Sequence, residues 1–331
     1  MSNLVKRPVY TVRDYAARID EEDEIIVDQP AQFVSRITLN RPDENNKMGH
    51  VMRAQLFNQL QINDQDPDVR VTIIQGAGNH FCSGQDFGRS KGALPSFTDD
   101  TDGQLPRSNL QGWFMIMDLA KPVIAQVHGE CLGSGMELAA ACDIVYVADD
   151  ARVGYPAVRN MGLPDMQIYP WLCGMRNALS IMLLAETMTG EESVKRGWGT
   201  KNFPADVLDD KVLDIAARVA KIPADLLAYN KRSVHRAFEA QGMRANLRHG
   251  VDMESLMFHS PSGGMLTRSV QDHARKPAMK SSSKQTSAKQ FPAKQSSTKQ
   301  NSKEGMAIHI HDSVTVHVHQ EEESLKLQSK L

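Results

Sequence analysis

The arrangement in this sequence best suited to chemistry is a carboxylate in the first turn of a helix, directly after a glycine turn. It lies in residues 127–143, VHGECLGSGMELAAACD. The apolar run 122–127 leads into it. Gly133-Ser134-Gly135 forms a small-residue turn, and 136–142 reads as an apolar helix. Strand, tight turn and helix aim backbone N–H groups at one point. Such a point suits an oxygen that becomes negative during a reaction. Glu137 falls in the first helical turn. Taken alone, it has a bland reading as a charge complementing the helix dipole, worth about 0.3–1 kcal/mol. A second glycine turn, Ser83-Gly84-Gln85-Asp86, follows another strand-like run.

The elements around these turns read in order. Residues 1–20 have scattered charge and little periodicity, so an N-terminal arm is expected. Two β-rich runs, 25–27 and 33–39, are split by Asp28-Gln29-Pro30 and predict a hairpin. Residues 50–64 carry apolar residues at helical spacing, and 69–76 is a buried strand ending in glycine. Residues 88–109 are rich in Gly, Pro, Ser and Asp and predict a mobile loop, and 113–119 predicts a helix. His128, at the end of the central strand, is expected to pack or hydrogen-bond there.

Composition bounds the partners. The chain has 331 residues, 41% hydrophobic and 24% charged, with a formal net charge of −2, so nothing global points to nucleic acid. The four cysteines form no CxxC pair, which indicates neither a zinc site nor a disulfide framework, and they read as buried thiols in a reducing compartment. The first residues have no apolar core of a signal peptide, and no apolar run reaches the roughly 18 residues of a membrane span.

Taken together, the motifs resemble the crotonase, or enoyl-CoA hydratase/isomerase, superfamily. The matching stretches are LNRP at 39–42, FCSGQDF at 81–87, KPVIAQVHG at 121–129 and GSGMELAAACDIVYVAD at 133–149. They continue with GYPAVRNMGLPD at 154–165, MTGEESVKRGWG at 188–199 and YNKRSVHRAFE at 229–239. The resemblance implies an α/β fold, a spiral of ββα units over 21–200, followed by a helical trimerisation segment over 201–275. Homotrimers or homohexamers are the family's habit.

The resemblance gives the two turns a joint role. The thioester carbonyl of an acyl-CoA is held between the backbone N–H groups of Gln85 and Ser134, so the side chains at these positions are free to vary. Ser83, Gly84, Asp86, Gly133 and Gly135 surround that hole. By the same resemblance, the nucleotide rests, largely through backbone, on the loop at Asn46, Lys47 and Met48, and the acyl pocket uses Trp113, Met115, Val158 and Met161. Hydratases of the family share a water between two glutamates. The first matches Glu137, but the second falls at Ala157, which carries no proton. Asp165, eight residues on, matches the catalytic aspartate of dienoyl-CoA isomerases and the nucleophile of chlorobenzoyl-CoA dehalogenases. Glu137 as main base with Asp165 as partner is therefore the expected pair. Asp86 and Asp143 read as structural caps or turn residues.

Three functions remain open on this reading. They are a hydratase or isomerase of an unsaturated acyl-CoA, a hydrolase or decarboxylase of a β-oxo acyl-CoA, and a catalytically weak binding or assembly subunit. No cofactor beyond the coenzyme A of the substrate and no metal are expected. Residues 276–331 depart from the family. Lys-Gln pairs recur every five residues from Lys284 to Gln300, a composition that predicts disorder. Histidines alternate between 308 and 319, where a small hairpin is conceivable. The tripeptide Ser329-Lys330-Leu331 reads as a peroxisomal address, with an import receptor as its partner.

Overall fold

The computed structural model describes residues 23–86, 104–159 and 162–262, without the side chains of residues 104, 105 and 258. The chain divides into two units, residues 1–278 and 279–331. The arm 1–20, most of the expected loop 88–109, Met161, the lysine/glutamine repeats, the histidine segment and the final tripeptide lie outside the described residues.

Six strands, β1 (Ile25–Ala31), β2 (Val34–Leu39), β3 (Val71–Gly76), β4 (Val123–Val127), β6 (Ile144–Ala148) and β9 (Lys201–Phe203), form one sheet in the order β1-β2-β3-β4-β6-β9. The first pair is antiparallel and every later pair parallel. A second sheet pairs β5 (Glu130–Leu132) parallel to β7 (Arg152–Gly154), and β7 antiparallel to β8 (Thr187–Thr189). Strand β4 is buried along its whole length, as expected of the centre of a parallel sheet covered on both faces.

The helices are α1 (His50–Gln65), α2 (Gln104–Asp118), α3 (Ser134–Ala141), α4 (Tyr169–Leu184), α5 (Gly190–Lys195), α6 (Leu208–Val219), α7 (Ala224–Ala240) and α8 (Met243–Phe258). The unit β-β-α recurs as β1-β2-α1, β4-β5-α3 and β6-β7-α4, followed by C-terminal helices. This is the expected spiral α/β architecture. In the last two units the second strand leaves the main sheet for the small one, so α3 and α4 start beside the same small sheet.

Two expectations need correcting. The first hairpin does not turn at Asp28-Gln29-Pro30. Strand β1 runs through these residues with a bulge between Asp28 and Ala31, and the turn lies at Gln32-Phe33. Proline is tolerated at a bulge in an edge strand. Phe33 turns with φ 62, and the guanidinium of Arg70 stacks 3.9 Å from its ring. The expected loop 88–109 also ends early, because α2 begins at Gln104. Phe114, Ile116 and Met117, together with Trp113, give this helix its buried face.

Asp143 anchors the end of α3. Its Oδ2 accepts from the Val123 N–H at 2.8 Å and pairs with Lys231 Nζ at 2.8 Å, and His235 Nε2 lies 3.3 Å from Oδ1. Lys231 also donates to the carbonyls of Ile116 and Lys121. One buried ammonium thus pins α7 to the central strand. His128 Nε2 hydrogen-bonds the Gly78 carbonyl at 3.0 Å.

Candidate active site

The two glycine turns meet. The Cys82 N–H donates to Glu130 O and the Leu132 N–H to Cys82 O, so residues 82–84 run as a short parallel neighbour of β5. Gly84 has φ 123 and Gly133 φ 53, both in the region that favours glycine. A Cβ on Gly133 would lie 3.5 Å from the Gly84 Cα, so the two turns touch through their backbones. On the far side Met48 brackets Gln85. The Met48 N–H donates to Gly84 O at 2.8 Å, and the Asp86 N–H donates to Met48 O at 3.0 Å. Among the described residues, neither the Gln85 N–H nor the Ser134 N–H has a protein acceptor. Ser134 opens α3, where a first-turn N–H has no partner within the helix, and Gly133 supplies no side-chain cap.

A buried polar chain runs from these turns to the carboxyls. Ser134 Oγ donates to Gln85 Oε1 at 3.2 Å, and Arg53 Nη2 donates to the same oxygen at 2.8 Å. Arg53 Nη1 donates to Asn109 Oδ1 at 2.5 Å. Asn109 and Glu254 both act on the ionisation of the Asp165 carboxyl. Arg53 is only 1% exposed, and its guanidinium carbon sits 5.2 Å from the centroid of the Trp113 ring.

Glu137 projects from the first turn of α3 and is 1% exposed. Its Oε1 accepts the Met166 N–H at 2.7 Å. The loop carrying Asp165 is therefore laid across Glu137 by its own backbone. Burial pushes the Glu137 carboxyl well above the usual carboxylate range, and the Asp165 charge pushes it further. Asp165 is partly exposed as a residue, but desolvation of its carboxyl raises it too. Arg53, Asn109 and Glu254 oppose that rise. Tyr155 and Tyr169, their ring centroids 6.4 Å apart, border the carboxyls on the remaining side, and both phenols are raised well above their ordinary value, by burial first and Glu137 second. A pair of neighbouring buried carboxyls is an arrangement for moving protons.

The other expected site residues separate into three groups. Gly84, Gly133 and Gly135 line the two turns, and a Cβ on Gly135 would lie 2.3 Å from Cys82 O. Ser83 accompanies them, with its N–H on Asn45 O and a buried hydroxyl that has no hydrogen-bond partner among the described residues. Ala157, Val158 and Met115 are half-buried against the core near the Tyr155 loop and α2, while Met161 lies outside the described residues. A third group is structural. Asn46 is fully buried; its side chain accepts from the Arg41 N–H and donates to Ala77 O and His80 O. Met48 is fully buried as well, Asp86 is ion-paired to Arg41 at 2.8 Å, and Trp113 is sealed beneath Arg53. The side chains of Asn46, Met48 and Trp113 therefore shape the loop and the floor, which leaves the backbone of residues 46–48 for the contact expected there, and Asp86 has the structural place expected of it. Lys47 is exposed beside them.

Sequence reasoning passed over Arg53, Asn109, Glu254, Tyr155 and Tyr169. A signal existed for two of them. Arg53 interrupts the buried stripe of α1, three and four residues before Leu56 and Phe57. Glu254 continues the buried stripe of α8 after Leu247 and Val251. A charge on an apolar stripe is rarely buried unless it is paired.

Comparison with known proteins agrees with this geometry. Residues 30–276 match the model of the family described as enoyl-CoA hydratase/isomerase. A peroxisomal Delta(3,5)-Delta(2,4)-dienoyl-CoA isomerase of Arabidopsis thaliana is 32% identical over 207 residues, covering 58% of this chain and 74% of the relative. A 2,3-dehydroadipyl-CoA hydratase of Escherichia coli is 28% identical over 239 residues, covering 71% and 89%. The crystal structure of an enoyl-CoA hydratase/isomerase from Xanthobacter autotrophicus Py2 superposes with a TM-score of 0.69 at 29% identity, covering 76% of this chain and 95% of that one.

Proposed function

The chain belongs to the enoyl-CoA hydratase/isomerase family, and we propose that it moves a double bond along an unsaturated acyl-CoA thioester. The observation that carries this reading is the buried pair Glu137 and Asp165 beside two backbone donors with no acceptor among the described residues. The thioester oxygen is held by the Gln85 and Ser134 N–H groups. Removal of a proton from the acyl chain puts negative charge on that oxygen. Losing one such donor typically costs about 2.7–4 kcal/mol of barrier.

The two carboxyls divide the proton work. Burial raises both, and the charge of Arg53 opposes the rise of both. Glu137 is the main base and Asp165 its partner. The ionised carboxyl takes a proton from one carbon, the dienolate electrons shift, and the protonated carboxyl delivers its proton to another carbon. The neighbouring carboxyls then exchange a proton and the site is reset, with no water consumed. Ala157, in the place of a hydratase's second glutamate, cannot position water, which favours migration over hydration. The similarity to a dienoyl-CoA isomerase supports the same choice.

Two further parts of the reading concern partners and place. Met175, Leu179 and Leu183 expose an apolar row at helical spacing on α4 after its kink at Gly174, which supports assembly of copies into a homotrimer or homohexamer. Localisation to the peroxisome through an import receptor rests on the tripeptide Ser329-Lys330-Leu331 and on one relative described as peroxisomal.

The test is a panel of α,β- and β,γ-unsaturated and dienoyl-CoA thioesters, with products identified by mass and NMR. A product of unchanged mass with a displaced double bond is expected. A product heavier by one water, formed faster than any isomer, overturns the reading.

A further inference from the structure

Helix α8 runs back along the segment 162–171, which carries Asp165 into α4. Three hydrogen bonds join the two in antiparallel order. The Leu163 N–H donates to Met257 Sδ at 3.4 Å, Gln167 Nε2 to the Gly250 carbonyl at 2.8 Å, and Trp171 Nε1 to Asn246 Oδ1 at 2.9 Å. Asn246, Gly250 and Met257 are spaced by four and then seven residues, so they share one face of the helix. Two of the contacts depend on glycine. Gly162 has φ 80, and a Cβ there would lie 1.6 Å from Met257 Sδ, so the sulfur fills the space against it. A Cβ on Gly250 would lie 2.9 Å from Gln167 Cδ and 3.0 Å from its Nε2, so the amide rests directly on the helix backbone. The helix is itself fixed, because Met243, Leu247 and Val251 are buried in the core.

Asp165 stands midway between the first two contacts. The next residue reaches the other catalytic carboxyl, since the Met166 N–H donates to Glu137 Oε1 at 2.7 Å. The segment is thus tied to α8 on both sides of Asp165 and to α3 beside it. We propose that α8 is the cradle that sets the place of Asp165 against Glu137, with Met257 and Gln167 as positioning residues. The inference rests on the reading of Asp165 as the partner of Glu137 in the proposed isomerisation. It gives the C-terminal helix a part in the chemistry in addition to its part in packing. A thioether is a weak acceptor, so the contact at Leu163 holds by fit as well, where glycine leaves room for the sulfur. A carboxyl displaced by about 1 Å costs turnover on the order of 10²-fold.

The experiment uses the full chain. Met257→Leu keeps an apolar side chain and removes the acceptor, Met257→Gln supplies one at similar length, and Gln167→Met removes the donor at similar length. Amide hydrogen exchange is followed by NMR at Leu163 and Met166 in the substrate-free protein. In Met257→Leu the Leu163 amide is expected to exchange about two- to tenfold faster, as for the loss of one hydrogen bond. The Met166 amide, bonded to Glu137, is expected to speed with it. In Gln167→Met, which removes neither of these bonds, Met166 is expected to speed as well. With an unsaturated acyl-CoA, kcat is expected to fall by about 10- to 100-fold in both variants, with KM nearly unchanged. Met257→Gln should recover most of both losses. Faster exchange at Leu163 alone, with Met166 and kcat at wild-type values, overturns the proposal, and so do equal losses in Met257→Leu and Met257→Gln. If Met257→Leu does not fold, Gln167→Met decides: faster exchange at Met166 with lowered kcat supports the cradle, and wild-type values refute it. The exchange needs no turnover. Met166 loosened in a protein whose products refute isomerisation removes the reaction and keeps the cradle, and exchange unmoved in a working isomerase does the reverse.

Discussion

Replacing Gly135 by alanine tests the join between the two turns. A Cβ there would sit 2.3 Å from Cys82 O, 2.8 Å from Cys82 Cβ and 3.0 Å from Cys82 C. Two of these atoms are backbone and held in place, because Cys82 exchanges hydrogen bonds with Glu130 and Leu132. The strain therefore falls on α3, which must move away from residues 82–84 by roughly 1 Å to reach ordinary contact. Overpacking of this kind costs about 1–3 kcal/mol of stability. The shift also carries the Ser134 N–H away from the Gln85 N–H. Partial loss of one oxyanion donor lowers kcat by up to about 10²–10³. Ser134→Ala is the control. It loses only the 3.2 Å bond to Gln85 Oε1, about 0.5–1.5 kcal/mol, and keeps the backbone donor. Urea unfolding and steady-state kinetics on the same preparations separate the two effects. The reasoning is refuted if Gly135→Ala is folded and retains wild-type kcat, or if Ser134→Ala loses as much turnover as Gly135→Ala.

Arg53→Met removes the cation that faces both carboxyls and holds Gln85 and Asn109. Breaking such a buried arrangement is expected to lower stability by about 3–5 kcal/mol and to move the acid limb of activity to higher pH, and an unchanged unfolding midpoint would contradict this. Light scattering after gel filtration is expected to give the mass of a trimer or hexamer, and Leu179→Glu on the exposed row of α4 to lower it. A mass of one chain would contradict the assembly reading. A reporter ending in residues 276–331 is expected to enter peroxisomes and to stay in the cytosol when Leu331 is deleted; import without Ser329-Lys330-Leu331 would refute the address.

The parts of the fold legible in sequence were those with strong local periodicity. Helix α1 and strands β3 and β4 appear where the apolar spacing places them, since a stripe or a continuous run permits one buried face. The first hairpin was misread because Pro30 looks like a turn residue, while the bulge that accommodates it depends on the partner strand. The glycine turns and Glu137 were readable because glycine spacing reports backbone geometry directly. The support of Asp165 was not, because Arg53, Asn109 and Glu254 come from positions 56 to 201 residues apart and meet only in the folded chain. Asn46 stands at a ligand-contacting place in the motif where backbone contact is expected, and only the folded chain shows that its side chain is used up by Arg41, Ala77 and His80.

The most direct test of the division of labour between the two carboxyls is the rate of double-bond migration against pH for the wild type, Asp165→Asn and Glu137→Gln. One carboxyl must be ionised, so activity falls as pH drops through the lower pKa of the pair. The other must be protonated, so activity falls again as pH rises through the higher one. The wild type should therefore give a bell. Asp165→Asn and Glu137→Gln should each lose at least about 100-fold in kcat, with KM nearly unchanged, because neither group holds the nucleotide. Near-normal turnover in folded Asp165→Asn, or a wild-type profile with a single limb, would contradict the account.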